Sequence, residues 1–185
     1  FSIGAAPSTI NVIGLSSFTY SGSSQGPDTS NKTGSSGAVT YSYSGTGLTS
    51  YGPSPTKPTD VGSYEVTASL EADSNYEGAT SSAYGFIISP KPITITADPK
   101  SKISGESDPT FTSQFTVGSM ELRDALSGSL SRVDGEAPGK YAITSTLSNG
   151  NYSITFVSAD LTILDGDNPA ANADHLVPVP IKTSK

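Results

Sequence analysis

Two stretches of this sequence repeat. Residues 61–76 read V-G-S-Y-E-V-T-A-S-L-E-A-D-S-N-Y, and residues 138–152 read P-G-K-Y-A-I-T-S-T-L-S-N-G-N-Y. Gly62, Tyr64, Val66, Leu70 and the Asn75-Tyr76 step recur in order as Gly139, Tyr141, Ile143, Leu147 and Asn151-Tyr152, offset by 77 residues at the start and 76 at the end. A closing run follows each, A-Y-G-F-I-I at 83–88 and A-D-L-T-I-L at 159–164. A period this long is a whole small domain, because solenoid and propeller units repeat every ~20–50 residues. The chain therefore divides into a module at 1–90, a second module at 91–165 and a linker or tail at 166–185. The joint is S-P-K-P at 89–92, where two prolines restrict the backbone and predict a short, semi-rigid connection.

The local patterns are those of strands. Tyr64, Val66, Ala68 and Leu70 alternate with other residues in one phase, as do Val39, Tyr41 and Tyr43, and Tyr84, Phe86 and Ile88. A period of two buries one face of a strand. Ile10, Val12 and Leu15 open the first module, with Phe18–Tyr20 as a short second run, and residues 21–37 read as loop. In the second module Ile93–Ala97 opens, and Phe111, Phe115 and Val117 predict a strand that fills the core. Met120, Leu122 and Leu126 read as a short helix or turn with Ser119 as N-cap. Asp134-Gly135 and Asn149-Gly150 mark tight turns. The fold class expected is all-β: two tandem immunoglobulin-like antiparallel β-sandwich modules.

Composition excludes several functions. The chain has no Cys, so disulfides, thiol nucleophiles and Cys-ligated zinc are excluded. Net charge is -7, with 17 acidic against 10 basic residues, and no basic stripe is present to meet phosphates. Nucleic acid and anionic membrane are thereby disfavoured as partners. No apolar run reaches the ~18–20 residues of a bilayer span. The chain begins at Phe1 without a signal-peptide pattern, as a processed protein or an excised fragment would.

The assembled residues resemble the MBG family, mostly-β repeats of large bacterial surface and adhesin-like proteins. The second module carries the fuller likeness: I-T-I-T-A-D-P-K-S-K at 93–102, G-E-S-D-P-T-F at 105–111, L-S-G-S-L-S-R-V-D-G-E-A-P-G-K-Y-A-I at 126–143 and N-Y-S-I-T-F-V-S-A-D-L-T-I at 151–163. Ile103-Ser104 stand where such modules commonly carry Tyr. Residues 1–90 are similar to a related Ig-like repeat with a looser front half. The resemblance implies a stalk or array module of a secreted or wall-associated protein, and it implies no catalytic residue.

Few residues suggest chemistry. His175 is the sole histidine and sits in a polar tail, so it reads as exposed linker. Paired-carboxylate catalysis needs two acids across a cleft. Glu65, Glu71, Glu77, Glu106, Glu121 and Glu136 fall in turns or at outward positions instead. Asp165, Asp167 and Asn168 follow the last strand and offer oxygen ligands for Ca²⁺, although Pro169 and Ala170 break EF-hand spacing. Asp98, Glu106 and Asp108 form a second weak calcium candidate, and no other cofactor is expected. Tyr64 and Tyr141 could stack on sugars, but their repeated place predicts packed rings whose hydroxyls bond nearby backbone. Lys32, Lys91 or Lys140 could form an isopeptide crosslink only if buried beside a carboxamide and an acid.

Two functional expectations follow. The first is a non-enzymatic spacer in an extracellular, cell-adhesion protein, whose partners are neighbouring repeats of the same polypeptide. The alternative is a module that binds a surface glycan or host protein through aromatic residues of the first domain. Its site is expected within residues 18–60, where Tyr20, Tyr41, Tyr43 and Tyr51 lie.

Overall fold

A computed structural model describes residues 3–166. Every regular element among them is a strand. Residues 3–91 with 150–153 form one compact unit, and residues 92–149 with 154–166 form the other.

In the first unit β1 (Thr9–Ile13) pairs antiparallel with β3 (Thr29–Thr33). A larger sheet runs in the order β2 (Ser17–Thr19), β7 (Tyr84–Ser89), β5 (Gly62–Leu70), β4 (Val39–Gly45), with β6 (Ala79–Thr80) also on β5. The β5 alternation has the expected result: Tyr64, Val66, Ala68 and Leu70 are all buried. Phe86 and Ile88 of β7, Tyr43 of β4, Ile10 and Val12 of β1, and Tyr20 and Tyr152 are buried with them.

The second unit repeats the plan. Its larger sheet runs β9 (Lys100–Ile103), β14 (Asp160–Leu164), β12 (Gly139–Ser145), β11 (Leu130–Arg132). The other sheet runs β10 (Ser113–Val117), β8 (Lys91–Ala97), β13 (Tyr152–Val157). Ile93, Ile95, Ala97, Ile143, Leu161 and Ile163 are its buried apolar residues. The two larger sheets thus share one strand order, early strand, last strand, Gly-x-Tyr strand, preceding strand.

The chain is all-β with mixed sheets, and this corrects the expected antiparallel architecture. β2 runs parallel to β7, and β9 runs parallel to β14. A hairpin cannot make a parallel pair. Here the early and last strands are separated by most of a unit, so they can enter side by side in the same direction.

Three local expectations also change, and the helix-or-turn alternative at residues 119–126 resolves as turn. Residues 21–37 contain β3, whose polar T-S-N-K-T carries no apolar signal because its side chains are mostly exposed. Leu15 lies beyond β1 and is exposed. Phe115 and Val117 are 46% and 62% exposed, so β10 does not fill the core. At the edge of its sheet Phe115 lies opposite the buried Ile95 yet stays half-exposed, and a register shift then sets Val117 opposite Thr94 on the other face. Residues 119–126 form a turn without a helix, and Leu122 projects fully into solvent.

Candidate functional site

Strand pairing aligns the two units residue by residue. Tyr64 lies opposite Phe86, and Tyr141 opposite Leu161. Val66 lies opposite Tyr43, and Ile143 opposite Arg132. Ile88 is beside Phe18, and Ile163 beside Lys102. At equivalent places the first unit therefore has Phe18 and Tyr43, and the second has Lys102 and Arg132.

The repeated tyrosines behave alike. The Tyr64 hydroxyl donates to the Asp60 carbonyl oxygen at 2.8 Å, and the Tyr141 hydroxyl donates to the Ala137 carbonyl oxygen at 2.8 Å. Each bond ties a strand to the turn four residues upstream, in the manner of a tyrosine corner. Tyr64→Phe and Tyr141→Phe are each expected to cost about 0.5–1.5 kcal/mol, the net value of one such bond. Urea unfolding with unit-resolved probes checks this.

Around Tyr64 the first unit places rings. Phe86 stacks on Tyr64 at 5.4 Å between centroids and meets Phe18 and Tyr43 edge-on at 5.9 and 6.3 Å. The Tyr43 hydroxyl donates to the Pro27 carbonyl oxygen at 2.8 Å. Burial, reinforced by the Asp28 charge, pushes that hydroxyl up to about 12.

Around Tyr141 the second unit places charges. The three ammonium hydrogens of Lys102 are taken by Asp108 Oδ1 at 2.7 Å, Glu136 Oε2 at 2.6 Å and the Glu106 carbonyl oxygen at 3.0 Å. The Lys102 side chain is only 3% exposed. Arg132 grips Asp108 through Nε at 2.6 Å and Nη2 at 3.1 Å, and Nη2 also donates to Glu136. Its Nη1 donates to the carbonyl oxygens of Val133 and Gly135. All five guanidinium hydrogens thus have acceptors. The guanidinium also lies 5.5 Å from the Tyr141 ring centroid. Gly135 permits this arrangement: its φ is +146°, and a Cβ there would meet Tyr141 Cε1 at 2.1 Å.

The cluster sets its own ionisation. Arg132 and then Lys102 push the Asp108 carboxyl down to about 2. Lys102 and then Arg132 lower that of Glu136. Asp108 and Glu136, in turn, raise the Lys102 ammonium. Amide formation between Lys102 and Asp108 needs a neutral amine and a neutral acid, and this cluster favours neither.

The other sequence candidates fall elsewhere. Asp98 accepts from Thr112 and Gln114, Asp108 belongs to the cluster, and the Glu106 carboxylate accepts from the Ile103 N–H. Those three acids are not brought together, and no group of three metal-ligating side chains occurs among the described residues. Asp165 follows β14, whereas Asp167, Asn168 and His175 lie outside the described residues. Lys32 donates to the Gly37 carbonyl oxygen. Lys102, the buried lysine, is not among the crosslink candidates of the sequence; its burial depends on acids up to 34 residues away.

Both Asn-Tyr steps accept a backbone hydrogen bond at the Asn carbonyl oxygen, and Asn151 adds two bonds through its side-chain amide. The Ala6 N–H donates to the Asn75 carbonyl oxygen at 2.9 Å, and the Lys91 N–H donates to that of Asn151 at 3.0 Å. Within the first unit Asn151 also accepts from the Val61 N–H and donates to Asp60 Oδ1, both at 3.0 Å. The Tyr152 ring meets Tyr20 edge-on at 5.5 Å. Ahead of Asn75, the Asp73 carboxylate accepts from the N–H groups of Ser36, Asn75 and Tyr76. The backbone bonds from Ser36 and Asn75 hold it well below the usual carboxylate range. Asp73→Asn is expected to speed hydrogen exchange at those three amides while leaving β5 unchanged.

A cleft of about 550 Å³ lies in the first unit, beside Tyr51 and Tyr64. Residues 93–162 match the family model described as MBG domain (YGX type), and residues 8–92 match the one described as MBG domain. No curated protein and no solved structure matches the chain.

Proposed function

We propose, for a chain that belongs to the MBG domain family over residues 8–162, the role of a non-enzymatic spacer in a secreted or cell-surface, adhesin-like protein. Each unit serves as an Ig-like sandwich module, and its partners are neighbouring repeats of the same polypeptide. One observation carries this reading. What the two units share is scaffold, namely the strand order and the tyrosine-to-turn bond. What surrounds that scaffold differs, rings in one unit and ion pairs in the other. A reactive site repeated for function would keep its reactive groups, whereas a spacer need keep only its frame.

The test is replacement in the parent surface protein. Deleting residues 1–165 is expected to weaken adhesion of the cells, and an unrelated pair of β-sandwich domains of equal residue number is expected to restore it. Failure of such a replacement, with restoration only by this sequence, would contradict the spacer role. Labelling of intact cells by an antibody against the chain checks the extracellular placement.

A further inference from the structure

We propose that the cleft beside Tyr51 in the first unit binds a neutral oligosaccharide. Its volume is about 550 Å³, within the ~300–1,000 Å³ usual for ligand sites. The wall is firm. The segment after β4 folds back on that strand, with Tyr43 and Ser54 exchanging both backbone hydrogen bonds at 2.8 and 2.9 Å and the Gly45 N–H donating to the Tyr51 carbonyl oxygen at 2.8 Å. Gly52 allows the close approach: its φ is +65°, and a Cβ would meet the Tyr43 carbonyl oxygen at 2.1 Å. A preformed wall loses little entropy on binding.

The lining selects the ligand class. Tyr51 is fixed by its hydroxyl, which donates to the Thr56 carbonyl oxygen at 2.7 Å, and by edge-on packing against Tyr64 at 5.8 Å. A fixed aromatic offers apolar area to a sugar's C–H face. Hydroxyls of Ser24, Ser50 and Thr59 line the same cleft and make no hydrogen bond to another described residue, so they can serve sugar hydroxyls. The charges are committed: Lys57 pairs with Asp28 at 2.7 Å, and Asp60 accepts from Asn151. The Asp60 carboxylate and the net charge of -7 turn away anions. The proposal is independent of the spacer role, because a spacer with no ligand fails the following test and still passes the replacement test.

The full chain is titrated with cellotetraose, maltotetraose and chitotetraose to about 10 mM, a range that reveals millimolar affinity, and its amide NMR shifts are followed. Tetragalacturonate is the anionic counterpart. At least one neutral sugar is expected to shift the amides of residues 48–61 and Tyr64. Tyr51→Ala is expected to weaken that binding at least about tenfold, with the amides of β7 and of Ala68–Leu70 in β5 unmoved. Thr59→Val, which removes one hydroxyl, also weakens it, and Tyr51→Phe retains it. Absence of shifts with all three neutral sugars, shifts confined to other faces, or equal binding of tetragalacturonate would overturn the proposal.

Discussion

Phe86→Ala is expected to destabilise the first unit by about 3–5 kcal/mol, the range for truncating a buried aromatic. Phe86 is 3% exposed and touches three other rings, those of Phe18, Tyr43 and Tyr64. Such ring pairs contribute roughly 0.5–1.5 kcal/mol each beyond area burial, and the truncation leaves a cavity among them. Phe115→Ala in the second unit, at a 46% exposed position, is expected to change stability by no more than ~0.5 kcal/mol. Urea unfolding of the two variants makes the comparison. Equal costs would mean that the two phenylalanines are equally buried. Tyr43 adds an alkaline limit to the same unit. Its hydroxyl stays neutral up to about 12 when folded and ionises near ~10 when unfolded, so stability is full below the unfolded value and falls as pH rises through the folded one.

The second large effect is Arg132→Met. It leaves the Val133 and Gly135 carbonyl oxygens and part of two carboxylates without their donors, while Lys102 stays enclosed. Removing one member of an enclosed charge cluster is worse than removing opposed members together, because the remainder lacks compensation. The second unit is therefore expected to melt well below wild type in Arg132→Met, with Arg123→Met, at an exposed position, close to wild type. The Lys102→Met/Asp108→Leu double variant is expected to lose less than the sum of its single changes. The pH dependence follows from the directions of shift. Asp108 and Glu136 are lowered, so their contribution is complete above the ordinary carboxylate values of ~3.9–4.3 and disappears as pH falls through the lowered ones. Lys102 is raised, so its contribution is complete below ~10.4 and is lost as pH rises through its raised value.

The sequence discloses what period two and repetition can carry. The β5 alternation, the buried pair Phe86 and Ile88, and the placement of Tyr64 and Tyr141 near matching turns are all visible as patterns. Strand direction is not, because β2 and β9 are short and their parallel partners lie most of a unit away. β3 is invisible for another reason: an exposed strand with polar side chains has no burial to imprint on its residues. Phe115 misleads because β10 is an edge strand: the residue lies opposite the buried Ile95, and its edge position still leaves it 46% exposed. The ion cluster lies beyond local reading. Lys102, Asp108, Arg132 and Glu136 each look like solvated charges, and only the pairing of β9 with β14 and of β11 with β12 draws them together. Of the aromatic residues at 18–60, Tyr51 lines the cleft, which extends past that stretch to Val61 and Tyr64.

One scaffold is filled at equivalent positions by rings in the first unit and by ion pairs in the second. Amide hydrogen exchange of the full chain across acid pH tests it most directly. The measurement uses the Asp73→Asn variant, which removes the first unit's own strongly lowered carboxylate. Between about pH 6 and about pH 2, spanning carboxylate titration, β12 and β14 are expected to lose protection while β5 and β7 keep theirs. Parallel loss in all four strands, or earlier loss in β5 and β7, would contradict the account.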